Sequence, residues 1–379
     1  MTNSPTDTLN DADFMRDVLQ RIATGPTLSK DITRQEARRA MRIVLEGHAD
    51  EVQAGIFLIA LRMKRETDEE LAGILDAIHD GIKPCPVAVD ELVTIVDPYD
   101  GYLRGTPVAP FLPAVLAACG LCTLSHGVLA MGPKFGASHE SVLLAAGLAM
   151  PVDREQATAQ IANDQIGWAY LPQQLLAPEL AALAALRTRI VKRPCLTTIE
   201  VAVNSMQPRH ASHLVTGYVH KPYPPVYARL AKQGGFDSSI TIRGVEGGVV
   251  PSLTQASRYF NCEDGEQLIQ VDLQPADLGI NVTERAVPLP EALCVDSVRS
   301  VKAPENPFAR ELASHAAQIG LAALRGESGP ARDSLVFGGA VVLHARGIAT
   351  SLQAAAVLVE QVLDGGAALA RFNRSKQAS

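Results

Sequence analysis

The feature that most constrains this chain is a change of period near residue 83. From Phe14 to about Ile82 apolar residues recur at intervals of three and four: Leu19 and Ile22, then Ala40, Ile43 and Val44, then Ile56, Ile59 and Ala60, then Leu71, Ile74, Leu75 and Ile78. That spacing lines one face of successive α-helices, and no strand-like run interrupts it. Thr33 with Glu36, and Thr67 with Glu70, form the capping-box pattern that opens a helix, while Gly47 and Gly81 stand where the periodic stretches stop. An all-helical domain over residues 1–83 is expected, followed by a Pro-containing link at Lys83 to Pro86.

Beyond the link the pattern becomes strand and helix in alternation. Val93 to Val96 is a short β-branched run ending at Asp97-Pro98, as a buried strand delivering its carboxyl end into a loop would. Pro110 to Cys119 suits a helix stopped by Gly120, Leu121 to Leu124 a second strand, and Ser138 to Ala146 a helix stopped by Gly147. Later strand candidates are Leu196 to Val203, His213 to Val219, Ser239 to Ile242 and Leu268 to Val271, and helices return from Pro307 to Phe372. An α/β domain over residues 84–379 is expected, with helices from the C-terminal region joining the small domain. The polar tips, Ser4 to Thr8 and Asn373 to Ser379, are expected to fray.

With 379 residues, 47% hydrophobic and 20% charged, the chain is long enough for two cores and is neither disordered nor fibrous in composition. Aromatics are only 4%, which favours helices packed closely on a sheet over an aromatic-rich sandwich. Six cysteines are too sparse for a disulfide framework and no leader-like stretch opens the sequence, so a cytoplasmic location is expected. Gly105 to Pro133 carries no charge over 29 residues, long enough to span a bilayer. Pro107, Pro110, Pro113, Gly120, Gly127 and Gly132 break it, so loop, helix and strand in succession is the reading and no membrane is expected.

The run Leu28-Ser-Lys-Asp-Ile-Thr-Arg-Gln-Glu-Ala-Arg-Arg-Ala-Met41, continuing through Gln53, Phe57, Ala60-Leu61-Arg62, Glu66-Thr67 and Glu70-Leu71-Ala72-Gly73, resembles the N-terminal helical domain of the anthranilate and nucleoside phosphoribosyltransferases, glycosyl transferase family 3. Gly329-Pro-Ala-Arg-Asp333 with Ala349, Ser351-Leu352 and Gly365 is similar to that family's closing helices. The resemblance implies a small all-helical domain beside a large α/β domain of the phosphoribosyltransferase type, a ligand cleft between them, and a homodimer formed by the helical domains.

The chemistry of that family needs a Gly-rich loop for pyrophosphate, hydroxyls and a Lys for phosphate, and carboxylates for magnesium. This chain departs at each place. The first loop reads Asp97-Pro98-Tyr99-Asp100-Gly101, with one glycine left, a proline in place of an amide donor, and two carboxylates where an anion would sit. The next helix start is Pro110-Phe111-Leu112-Pro113, without hydroxyls, and the following turn is Ser125-His126-Gly127-Val128, without the Lys and Asn of active relatives. Val249 and Val250 align with the metal-binding pair, and Glu246 alone is a weak substitute. The expectation is a scaffold without catalytic residues, metal or cofactor. Asp97, Asp100, Gly101, His126, Gly127, Lys134 and Ser138 are the candidates for a remaining cleft ligand or anion. The pattern is similar to a divergent, nucleic-acid-binding branch of the family.

Other constellations have plainer readings. Cys119-x-x-Cys122 has no second pair near it and is read as buried small apolar residues. His210-x-x-His213 with His220 has no neighbouring carboxylate or Cys, so no metal is assigned. Arg38, Arg39 and Arg42 are read as a solvated helix face. More informative is the stretch from Arg187 to Arg243, which holds nine cations against Glu200 and Asp237, a charge of +7 over 57 residues in a chain of net −7. Three histidines and Tyr218, Tyr223 and Tyr227 are interleaved with it. Arg187, Arg189, Lys192, Arg193, Arg209 and Lys221 are the expected contacts to DNA or RNA, without sequence preference. The alternative is an active phosphoribosyltransferase using phosphoribosyl diphosphate, with magnesium, on anthranilate or another acceptor.

Overall fold

The computed structural model describes residues 10–25, 27–294 and 303–378. Four helices, α1 (Asp11–Ile22), α2 (Arg34–Leu45), α3 (Glu51–Lys64) and α4 (Asp68–Asp80), form the N-terminal unit. α2 and α4 both open on a complete capping box, Thr33 with Glu36 and Thr67 with Glu70, so the sequence pattern is realised in both. Phe14, Met41, Phe57 and Leu75 are fully buried between these helices. One face of α3 is left bare, with Val52, Ile56 and Met63 exposed by 68%, 40% and 75%.

The rest is built on a sheet. After β1 (Cys85–Pro86) come β2 (Glu91–Val96), α5 (Leu112–Ala118), β3 (Thr123–Gly127), α6 (His139–Ala145), α7 (Arg154–Ala162) and β4 (Trp168–Pro172). Four short helices follow, α8 (Gln173–Leu176), α9 (Pro178–Ala182), α10 (Ala184–Ile190) and α11 (Leu196–Ile199). β5 (Met206–Gln207), β6 (Ala211–Tyr218), α12 (Tyr223–Gln233), β7 (Ser238–Arg243), β8 (Ser257–Cys262) and β9 (Ile269–Leu273) complete the sheet region. α13 (Pro307–Leu324), α14 (Pro330–Ala345), α15 (Leu352–Asp364) and α16 (Ala367–Gln377) close the chain.

The large sheet has the order β4-β3-β2-β6-β7-β8-β9, with the first five strands parallel and the β7–β8 and β8–β9 pairings antiparallel. Both faces are covered, which is why β2 reads as a continuous apolar run: Val93 and Ile95 enter one core, Leu92 and Val96 the other. The chain leaves β2 toward β3 on one side and returns through β6 on the other. Loops after β2 and β6 therefore diverge at the carboxyl edge, where open α/β sheets hold their ligands.

Three expectations are corrected. Leu196 to Val203 is not a strand but α11 and a 3₁₀ turn, which touch α4 and α12 and share one buried core with the helical unit. Helices α8–α11, from mid-chain, join the small unit, whereas α13–α16 cover the opposite sheet face. There Trp168 stacks on Phe372 with ring centroids 5.7 Å apart. Asn373 to Gln377, expected to fray, continues α16; Ser4 to Thr8 lie outside the described residues. Among the described residues no single helix is long and apolar enough to cross a membrane.

Candidate functional site

At the carboxyl edge of β2 and β6 a cavity of about 160 Å³ opens between the helical unit and the sheet, lined by Arg62, Pro98, Asp100, Arg193, Thr197, Thr198, Tyr218, His220, Tyr223, Tyr227, Glu246 and Gly247 among others. The backbone comes very close beneath it. A Cβ on Gly217, at the end of β6, would lie 2.1 Å from the Gly248 carbonyl oxygen, so only glycine lets β6 pass the turn after β7.

The loop after β2 is held by three carboxylates, each engaged by the chain's own donors. Asp97, 4% exposed, accepts from the Tyr102 hydroxyl (2.5 Å) and the Val249 amide (2.9 Å), and lies 2.9 Å from His139 Nε2. Burial opposes its charge, yet the His139 charge and these hydrogen bonds hold it below the ordinary carboxylate range. Asp100 receives Arg193 through Nε (3.0 Å) and a terminal nitrogen (2.5 Å), with Lys134 Nζ at 3.3 Å. Glu246 accepts from the backbone amides of Leu103, Arg104 and Gly105 at 2.7–3.3 Å, with Lys134 Nζ 3.6 Å away.

Of the seven residues proposed for a cleft ligand, Asp100 lines the cavity and Lys134 stands behind it, between Asp100 and Glu246. The others do not face it. Gly101 is a turn residue at φ 72° whose Cβ would strike the Gly136 and Ala137 backbone. Ser138 caps α6, accepting from Ser141 N and donating to the Leu129 carbonyl. His126 is buried against the Tyr99 hydroxyl at 2.5 Å, its pKa depressed to about 3 by burial and by His139, and Gly127 is packed under the Tyr170 hydroxyl. A glycine turn that looks cleft-facing in sequence is part of the interior, because β3 continues through Gly127.

The basic stretch does not form one surface. Arg187, 2% exposed, is buried with Glu200, so its role as a nucleic-acid contact is corrected. Arg209 precedes β6 and pairs with Asp90 at the amino edge, while Lys221 follows β6 at the cleft; eight strand residues separate the two ends, roughly 26 Å at ~3.3 Å each. Arg189 pairs with Glu51, and Arg229 with Asp68. Lys192 and Lys221 remain exposed near the cleft, and Arg243 and Arg258 lie close enough to Tyr218 to act on its hydroxyl. Arg38 and Arg42 likewise meet acids, Asp80 and Glu179. His213 is interior, bonded to Ser238, while His210 and His220 are exposed. Cys119 and Cys122 are free and half-buried, and burial pushes the Cys119 thiol up to about 12.

Sequence reasoning missed Arg62. It projects from α3 to donate to the Tyr223 hydroxyl at 2.7 Å, joining the helical unit to α12 across the cleft. His220, Tyr223 and Tyr227 form a file of rings, with centroids 6.3 and 5.5 Å apart. Their spacing of three and four is that of one helix face, but the sequence reading took the tyrosines only as residues interleaved with the basic stretch.

Comparison with known proteins places this geometry. The helical bundle domain of the glycosyl transferase family matches residues 16–80. Anthranilate phosphoribosyltransferase from Thermus thermophilus superimposes with a TM-score of 0.69 over 97% of this chain and 99% of that one, at 19% identity. The Saccharomyces cerevisiae enzyme, in complex with PRPP and Mg, gives 0.74 over 97% and 98%, at 14% identity. This chain has the anthranilate phosphoribosyltransferase fold. By sequence, the anthranilate phosphoribosyltransferase of Haloferax volcanii is 27% identical over 96% of this chain and 100% of its own length. That of Anaeromyxobacter dehalogenans is 26% identical over 89% and 92%.

The resemblance sets a pair of metal-binding carboxylates in the turn after β7. Val249 and Val250, the positions read as that pair from the sequence, are buried apolar side chains. Among the described residues, no three His, Cys, Asp or Glu side chains converge as a metal site.

Proposed function

We propose that this protein is a non-catalytic homologue of the phosphoribosyltransferases that binds nucleic acid across the mouth of its interdomain cleft, without reading base identity. The observation that carries the reading is the ring file His220, Tyr223 and Tyr227 in the cleft wall, with Arg193 in the same wall, the exposed Lys192 and Lys221 next in sequence to Arg193 and His220, and Arg243 beside the cavity-lining Tyr218. Rings can stack on any base, and flanking cations meet the phosphates between them. Arg193 is already paired with Asp100 but keeps 45% of its side chain exposed, so its outer edge is available. Arg187 and Arg209 have no place in this interface.

The test is fluorescence anisotropy with single-stranded DNA, duplex DNA and RNA. About four neutralised phosphates would give a log-affinity slope against log salt of roughly −3 to −4. The pair R193E/K221E should weaken binding at least tenfold and flatten that slope, whereas R209E should change neither. Equal losses for both variants would overturn the cleft-mouth reading.

A second reading, favoured by similarity to anthranilate phosphoribosyltransferases over nearly the whole length, is an active transferase. It requires turnover of anthranilate with phosphoribosyl diphosphate and magnesium above the protein-free rate. Such turnover, abolished by K134A, would replace the first reading.

A further inference from the structure

A second cavity, of about 260 Å³, lies between α4, α12 and the turn that joins β8 to β9. α12 is a wall of both cavities. Tyr223 and Tyr227 line the cleft, while Val226, Arg229, Leu230 and Gln233, three and four residues apart, line this groove opposite Leu71 of α4. The walls are fixed by the chain itself: Arg229 pairs with Asp68 at 3.0 Å, Gln233 donates to Asp76 at 2.7 Å, and Arg34 also holds Asp76, through Nε at 2.6 Å. In the turn, the Asp264 carboxylate accepts from the Glu266 and Gln267 amides at 2.8 and 2.7 Å. Gly265 lets the Lys232 stem lie against that turn, since a Cβ there would come within 2.6 Å of it. Three charges are left over. Among the described residues, the exposed Glu69, Lys232 and Glu266 side chains of this groove make no ion pair or hydrogen bond.

We propose that this groove binds a free basic α-amino acid, with arginine as the type, Glu69 and Glu266 receiving its two cationic groups and Lys232 its carboxylate. Two uncommitted acids and one uncommitted cation on the protein are the complement of a molecule that carries two cations and one carboxylate. Arg34 and Arg229 compete less for that carboxylate, because each already holds an acid. Leu71, Val226 and Leu230 give the ligand's aliphatic stem an apolar floor. The volume lies just under the ~300–1,000 Å³ of pockets for drug-sized ligands and so suits a smaller molecule. Walls already tied together need little ordering when it enters. The inference does not rest on nucleic-acid binding.

The experiment is calorimetric titration of the full chain with L-arginine at constant ionic strength, with sodium chloride as control. Arginine should give saturable heat. Citrulline, which lacks the guanidinium charge, and agmatine, which lacks the carboxylate, should each bind roughly two- to fivefold more weakly, the range for one exposed charge pair. K232M should weaken arginine by that factor and should not weaken agmatine, which has nothing for Lys232 to hold. The triple variant E69Q/K232M/E266Q should bind arginine about tenfold more weakly or worse, with its fold checked by circular dichroism. The proposal fails if arginine gives no saturable heat, or if the folded triple variant binds it as the natural chain does. Should the triple variant not fold, K232M decides, and an equal effect on arginine and agmatine overturns the assignment. A blocked peptide, acetyl-Gly-Arg-Gly-amide, that binds as tightly as arginine would overturn it too, giving the groove to a side chain of a protein partner.

Discussion

Arg187 and Glu200 form an ion pair sealed from solvent, their side chains each 1% exposed, with two guanidinium nitrogens donating to the two carboxylate oxygens at 2.5 and 3.1 Å. Removing one partner leaves the other charge buried alone, which costs about 3–5 kcal/mol. R187A should lower stability by that amount in urea denaturation, while R187L/E200L, which removes both charges, should recover most of it. The affinity of folded R187A for single-stranded DNA should equal that of the natural chain.

Tyr223 joins two roles that substitution can separate. Y223F keeps the ring and loses the hydroxyl that receives Arg62; Y223A loses both. Base stacking on an aromatic side chain is worth about 1–3 kcal/mol. Single-stranded DNA affinity should therefore fall roughly five- to a hundredfold in Y223A and stay within about twofold in Y223F. Equal losses in the two would show that the hydroxyl bridge, not the ring, shapes the interface.

Glu140 makes stability depend on pH. Burial raises its pKa from 4.5 to about 7, and the Tyr170 hydroxyl, donating at 3.2 Å, offsets only part of this. The folded chain therefore holds a proton that the unfolded chain releases, so this group's contribution falls as pH rises from about 4.5 through 7 and is flat above. E140Q should be the more stable protein at pH 8, by on the order of 2–3 kcal/mol, with the difference gone near pH 4. Thermal melts across that range would decide, and a constant difference would discount the titration.

We propose that the bare face of α3, where Val52, Ile56 and Met63 are exposed, is the face through which two copies associate. Light scattering at micromolar concentration should give twice the 40.3 kDa of one chain, and M63E should give that single mass. A natural chain that scatters as a monomer would end the proposal.

Local rules carried the sequence reading where they acted alone. The two capping boxes, the β2 run and the stop at Gly147 are decided by near neighbours, and each is found where expected. β4 was missed because Trp168–Pro172 holds no β-branched residue and ends in proline, so it lacks the run that marks β2. Leu196–Val203 carries β-branched residues, yet contacts with α4 and α12 hold it helical, as tertiary packing overrides weak propensity. The site was less legible still. Charge density along the chain placed Arg187, Arg209 and Lys221 together, and β6 with its partners takes them to the interior, one edge and the other. Arg62 and Glu246 come from elements far apart in sequence, and no local pattern joins them.

Because Glu246 is tethered by its own backbone, it never diffuses away from the amides it occupies. Its hold is set by an effective concentration, on the order of millimolar for a group on a short tether, whatever else is dissolved around the protein. The amides of Leu103, Arg104 and Gly105 are thus satisfied from within the chain, and the two distant loops they join are held at a spacing set by one side chain.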